Sequence, residues 1–175
     1  MPFLQGEKVR LRSVEENDLR DIFEWENNPN ASGDYGAFRP ISWPDFESRS
    51  KSWLGVFLIE EKASGKKIGT IRYFPDDRHP YRVWLAYTVA EKDERKKGYA
   101  TEAAKLMIDF LFKNKYIERI ETGVDVANVA SQKVLERNGF RREGTLRHSY
   151  FVNGKFNDHY FYGLIREDWE SLQRK

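Results

Sequence analysis

Val89-Ala90-Glu91-Lys92-Asp93-Glu94-Arg95-Lys96-Lys97-Gly98-Tyr99-Ala100-Thr101 leaves an apolar strand, crosses a basic loop with one glycine and opens a helix. Beyond it Ala103, Ala104, Met107, Ile108, Leu111 and Phe112 recur at helical spacing, which predicts an amphipathic helix over Gly98–Asn114. At such a helix start several N–H groups have no intrahelical partner, and the macrodipole places partial positive charge there. Gly98 lets a ligand approach the backbone, Ala100 keeps the next position small, and Arg95, Lys96 and Lys97 add full charges. That combination suits a pyrophosphate. A solvated basic surface has the same composition. The stretch is neither a phosphate loop ending in Gly-Lys-Ser/Thr nor a three-glycine dinucleotide fingerprint, so spacing alone does not name the ligand.

Upstream, Lys8–Arg12 alternates and reads as a strand. Ser13 and Glu16 form an expected capping box for a helix carrying Leu19, Ile22 and Phe23, which ends by Pro29. A Gly/Ser/Asp-rich loop over Asn30–Pro40 leads to a second helix starting at Ser42. Val56–Glu60, Lys67–Phe74 and Arg82–Val89 read as an antiparallel meander. Downstream come a strand at Arg119–Val124, a helix at Asn128–Asn138 with Gly139 in the C-cap position, and strands at Phe140–Arg147 and His159–Ile165 about a turn near Asn153-Gly154. A short helix over Arg166–Arg174 closes the chain. The order predicts an α/β (α+β) fold with one mixed sheet and helices on its faces. Trp25, Trp43, Trp53 and Trp84 are expected in the core.

The 175 residues suit a single domain, 1–175, able to bury a core without disulfides. Thirty basic and 28 acidic residues nearly cancel to a net charge of +2, which disfavours a nucleic-acid partner. The absence of cysteine excludes disulfides, thiolate metal sites and a cysteine nucleophile. His79, His148 and His159 lack metal-ligand spacing, so no metal is expected. No apolar stretch approaches the roughly 20 residues that span a bilayer, and Met1–Glu7 carries no signal-peptide pattern. A cytoplasmic location without membrane partners is the expectation.

Arg95-x-x-Gly98-x-Ala100, after a strand ending in Tyr87-Thr88-Val89, resembles the acetyl-CoA signature of the GNAT N-acetyltransferases. Asn128-Val129-Ala130-Ser131 running to Asn138-Gly139-Phe140 is similar to a second segment common in that superfamily. Glu143-Gly144-Thr145-Leu146-Arg147, followed by Asn153-Gly154-Lys155 and Asp158, resembles the branch that contains the ribosomal-protein N-terminal acetyltransferases. Two positions depart from the pattern: Ala100 stands for the second glycine, and Lys96 for the glycine after Arg95.

The resemblance implies a GNAT-like fold: a mostly antiparallel sheet splayed at one parallel strand pair, with helices on both faces and acetyl-CoA in the gap as co-substrate. Val89 would pair its backbone with the pantetheine arm, and the N–H groups of Lys97, Gly98, Tyr99, Ala100 and Thr101 would hold the pyrophosphate. Arg95, Lys96 and Lys97 would lend charge from the rim. Asn128 would cap its helix and reach the cofactor, and Ser131 would donate a proton to the departing thiolate. The implied reaction is direct attack by an amine, with Glu24, Glu26, Glu143 and Asp158 as candidate bases. Glu26, Asp34 and Tyr35 are the expected acceptor-binding residues. The implied acceptor is a protein or peptide N-terminus. The alternatives are a small-molecule amine (polyamine, aminoglycoside or amino acid) or a non-catalytic CoA-binding sensor. The working unit is a monomer or homodimer.

Overall fold

Among the described residues eight strands form one sheet, and α4 (Tyr99–Asn114) sets their topology. The computed structural model describes residues 4–33, 35–36 and 38–174. The strands are β1 (Leu4–Gln5), β2 (Val9–Ser13), β3 (Val56–Glu61), β4 (Lys67–Pro75), β5 (Arg82–Val89), β6 (Arg119–Asp125), β7 (Arg141–Val152) and β8 (Lys155–Ile165). They lie in the order β1-β2-β3-β4-β5-β6-β8-β7. Only β5 and β6 pair in parallel; the other neighbours are antiparallel. A parallel neighbour requires a long crossover, and α4 is that crossover. One parallel pair in an otherwise antiparallel sheet is the arrangement that the resemblance implies.

Adjacent strand residues point to opposite faces, and β3 displays the consequence. Ile59 joins a core with Ile71, Leu85, Ile120 and the α4 residues Ala104, Met107 and Leu111. Its neighbour Leu58 packs on the other face with Ile22 of α1 (Leu19–Glu26) and Phe46 of α3 (Trp43–Ser50). Phe46 is fully buried, with Phe23 and Trp53 edge-on at 5.4 and 5.5 Å and Trp43 stacked at 5.7 Å. A single turn, α2 (Pro29–Ser32), follows α1 on this face, while α5 (Val129–Arg137) contacts α4. Trp84 corrects its expected place: it is 36% exposed, on the face of β5 opposite Val83 and Leu85, against the edge of Phe161.

Two boundaries also differ from the sequence reading. Ser13 cannot cap the first helix because it is still paired with Phe57 in the sheet. The capping box forms two residues later, around a 3-10 turn (Glu16–Asp18): Glu15 is its N-cap, and Asp18, the third residue, accepts the Glu15 N–H at 2.9 Å. The last two strands run much further than expected, to a two-residue turn in which Asn153 and Gly154 have φ of 52° and 78°. Such paired positive φ values suit the twist of a hairpin.

The parallel pair is short. Arg82, Val83 and Trp84 face Arg119, Ile120 and Glu121, and there the pairing stops. Beyond that point β5 remains paired with β4 as far as Val89, and β6 with β8 as far as Asp125. Each strand therefore turns one unpaired edge toward a widening gap. The closed end is pinned by buried Glu121, which accepts from Arg119 Nε at 2.5 Å and from Arg82 at 3.4 Å.

Candidate active site

The open end of the gap is bounded by three pieces of chain: the end of β5, the start of α4 and the start of α5. The loop entering α4 is a short 3-10 turn (Lys92–Glu94), followed by Lys96 at φ 65° and Gly98 at φ 91°. The first rung of α4 runs from the Glu102 N–H to the Gly98 carbonyl at 3.1 Å. The N–H groups of Tyr99, Ala100 and Thr101 precede it and have no intrahelical acceptor. Left-handed residues flanking a helix start turn successive N–H groups into a concavity suited to an anion. A diphosphate such as that of CoA fits this backbone arrangement.

The side chains of the loop serve mostly to shape it. Buried Glu94 bridges Lys66 at 2.6 Å and Lys97 at 2.8 Å, and these contacts hold its carboxyl below the usual carboxylate range. Tyr99 turns its ring into the core, where its hydroxyl donates to Glu61. Lys96 is exposed. The Arg95 guanidinium does not stand at the rim as a free charge. It donates to the carbonyls of Val89 (3.1 Å), Asn30 (3.0 Å), Ala31 (3.1 Å) and Ala90 (3.3 Å). The Val89 carbonyl is therefore engaged from within the protein, and Arg95 ties the loop to α2.

Sequence reading missed two residues here. Lys8 Nζ donates to the Lys97 carbonyl at 3.1 Å and lies 3.3 Å from where a Cβ on Gly98 would sit, so an ammonium stands over the helix start. Glu102 holds Lys8 in place by accepting the N–H groups of Glu7, Lys8 and Val9 at 2.7–2.8 Å. Nothing local in Lys8–Arg12 could have disclosed a contact some 90 positions away.

On the α5 side, Asn128 caps the helix: its Oδ1 accepts the Ser131 N–H at 3.1 Å, leaving the amide Nδ2 as the group available to a ligand. Gly139, at φ 86°, sits at C′, one position beyond the cap residue Asn138. Bonds from Gly139 N–H to Glu136 and from Phe140 N–H to Leu135 close the helix end. Ser131 Oγ lies 2.7 Å from the Tyr87 hydroxyl. Tyr87 is a further omission: in the sequence it reads only as part of a strand. It is half-buried on β5 beyond the last β5–β6 pair, and burial pushes its phenol up to about 12. Two neutral hydroxyls thus face each other across the open gap.

The opposite face of the sheet holds a cavity of about 310 Å³ between α1, α3, β4 and the β7 arm. Trp25, Glu26, Arg39, Arg49, Arg72 and Tyr150 contribute to its lining, as does Thr88, adjacent to Val89. Of the expected acceptor residues, Glu26 lines this cavity but is ion-paired with Arg49. Tyr35 is 36% exposed and is not part of the lining, and Asp34 lies outside the described residues. The candidate bases are engaged or exposed. Glu143 is paired with Arg119, which holds its carboxyl low; Asp158 accepts the His148 N–H at 2.8 Å; and Glu24 is exposed. Among the described residues no cluster of His, Asp or Glu could hold a metal, and no helix is long and apolar enough to cross a membrane.

Residues 8–141 match the family model of the acetyltransferase (GNAT) domain. A probable N-acetyltransferase of Bacillus subtilis, YjcK, is 32% identical over 182 residues, covering 95% of this chain and 99% of the relative. The putative ribosomal N-acetyltransferase YdaF of the same organism is 31% identical over 181 residues, covering 94% and 95%. The spermidine N-acetyltransferase of Vibrio cholerae, solved with CoA and spermine, shares the fold with a TM-score of 0.81 at 22% identity, over 94% of this chain and 99% of that one. Signature loop, splayed parallel pair and family match agree, and the chain belongs to the GNAT acetyltransferase family.

Proposed function

We propose that residues 1–175 act as one domain that transfers the acetyl group of acetyl-CoA to a primary amine, with a protein or peptide N-terminus as the acceptor. The observation that carries this reading is the gap between β5 and β6, with free helix N–H groups at its mouth and the Ser131–Tyr87 hydroxyl pair inside it. Acetyl-CoA supplies an activated thioester. The backbone from Lys97 to Thr101 anchors its pyrophosphate, with Lys8 adding charge, and the free amide of Asn128 orients the pantetheine arm.

The amine nitrogen bonds to the thioester carbon, the C–S bond breaks, and the proton lost by the amine ends on sulfur. An α-amine of pKa ~7.7–8.0 is roughly a tenth to a sixth neutral at pH 7, against about 0.04% for a lysine, so an N-terminus needs little help from a base. That matches a site whose carboxylates are already engaged. Ser131, polarised by Tyr87, donates a hydrogen bond to the departing sulfur. Complete transfer from a phenol near 12 to a thiolate near ~8.5 is uphill by roughly 5 kcal/mol. The pair therefore stabilises charge, and the amine supplies the proton.

The name of YdaF supports a ribosomal-protein acceptor, and the spermine-bound relative supports a polyamine as the alternative. A cytoplasmic location suits either. The exposed Leu146, Phe151 and Phe156 of the β7–β8 arm favour a homodimer over a monomer, which light scattering reads directly. The test of the activity is release of CoA thiol from acetyl-CoA across N-terminal peptides, polyamines, aminoglycosides and amino acids. Tight CoA binding with no release for any amine would instead make the chain a sensor.

A further inference from the structure

We propose that the acceptor carries a carboxylate close to its amine and that Arg72 receives it, which makes the substrate an acidic peptide N-terminus. This rests on the reading above, in which the acceptor enters from the face covered by α1 and α3.

Among the described residues, the cavity on that face is lined by three arginines, Arg39, Arg49 and Arg72, against one carboxylate, Glu26. Glu26 and Arg49 satisfy each other, and Arg49 also lies over the rings of Phe46 and Trp53 at 5.5 and 6.0 Å. That pair is closed on itself. Arg72 is different. It is half-buried on β4, packs over the Phe74 ring at 5.2 Å, and has no carboxylate partner among the described residues. Burial, with the nearby Arg49 charge adding to it, holds its guanidinium below the ordinary arginine value against the opposing pull of Glu26. A partly desolvated guanidinium without an acceptor is costly to keep, and its planar fork matches a carboxylate through two parallel hydrogen bonds.

The wall shared with Thr88 brings this cavity to the end of β5, where the acetyl group is delivered. A volume of about 310 Å³ is at the small end for ligand pockets, enough for the first residues of a peptide. A polyamine would bring ammonium groups against Arg39 and Arg72, a like-charge contact that disfavours it.

The experiment compares two peptides that differ only at the second residue, glutamate against glutamine, with spermidine as a third acceptor and acetyl-CoA saturating. We expect kcat/KM for the glutamate peptide to exceed that of its twin by tenfold or more. Arg72→Gln should bring the two within twofold by loss on the glutamate peptide alone, with the acetyl-CoA KM unchanged, and Arg72→Lys should retain part of the preference. Equal rates for the two peptides with wild-type protein, or a higher rate with spermidine, overturn the proposal without any variant. Should no amine be acetylated, calorimetry of both peptides with the CoA-bound protein separates the questions. A preference for glutamate there keeps carboxylate recognition while the transferase reading falls. No preference ends the proposal itself.

Discussion

Lys96 stands at φ 65°, in a conformation that costs a side-chain-bearing residue roughly 1–2 kcal/mol and glycine almost nothing. Its side chain is exposed, and no contact among the described residues repays the strain. Lys96→Gly should therefore raise stability by about 1 kcal/mol, offset in part by the freer unfolded chain, and urea titration measures it. A loss would mean that the lysine is held by something more than the backbone. The hydroxyl pair gives a second expectation at this scale. Ser131→Ala should lower kcat more than it raises KM, because the bond to sulfur strengthens only as the thiolate forms. The pH profile of kcat/KM should rise with the amine, ~7.7–8.0, and then stay flat through pH 10. A phenol at its ordinary value would begin to ionise there; Tyr87, near 12, does not. A falling limb centred near 10 in wild type, absent from Tyr87→Phe, would place that phenol outside its buried environment.

At the start of α1, Asp18 is fully buried and accepts from Arg12 at 2.5 and 2.8 Å, from Lys67 at 2.9 Å and from the Glu15 N–H. Burial alone would raise its pKa; these donors outweigh burial and hold the carboxyl far below the usual range. A depressed folded value stabilises the protein above the unfolded value of ~3.9, and that contribution drains as pH falls through the folded one. Asp18→Asn should cost about 3 kcal/mol at pH 7, the low end for breaking a buried pair, since Arg12 keeps Glu60 at 2.8 Å. Between pH 5 and 2 the variant should lose stability less steeply than wild type, as guanidinium midpoints would read. Sequence made some of these elements plain and concealed others for physical reasons. The period change at Gly98, the Asn128 cap and Gly139 are local signals, and each matches its element. The β7–β8 arm is solvated along most of β7, so no alternation marked its length. Asp18 between Arg12 and Lys67, Tyr87 beside Ser131, Lys8 over the helix start and Arg72 in the cavity all depend on contacts made by folding. In the sequence each reads as an ordinary polar strand or surface residue.

Across the whole molecule the two proposed ligand regions lie on opposite sides of one sheet, and Arg95 physically joins them. Its guanidinium holds Val89 and Ala90 at the end of β5 and also Asn30 and Ala31 of α2, and Ala31 lines the cavity. Residues that belong to one side should act on one ligand. Gly98→Ala strains the left-handed start of α4 and crowds Lys8, so it should weaken acetyl-CoA binding by tenfold or more, about 1.4 kcal/mol. Arg72→Gln should affect only the acceptor. With no shared partners, the two changes should add within about 0.5 kcal/mol in kcat/KM. Arg95→Ala should break that separation. Removing it releases the phosphate loop and α2 together, so both Michaelis constants should rise at least threefold, and its combination with either variant should depart from additivity. Stability should fall by about 2 kcal/mol as the four carbonyls lose a charged donor, which thermal unfolding reads independently of turnover. An Arg95→Ala enzyme that binds the acceptor normally and loses only acetyl-CoA would confine this residue to the cofactor side of the sheet. The two sites would then communicate through the strands alone.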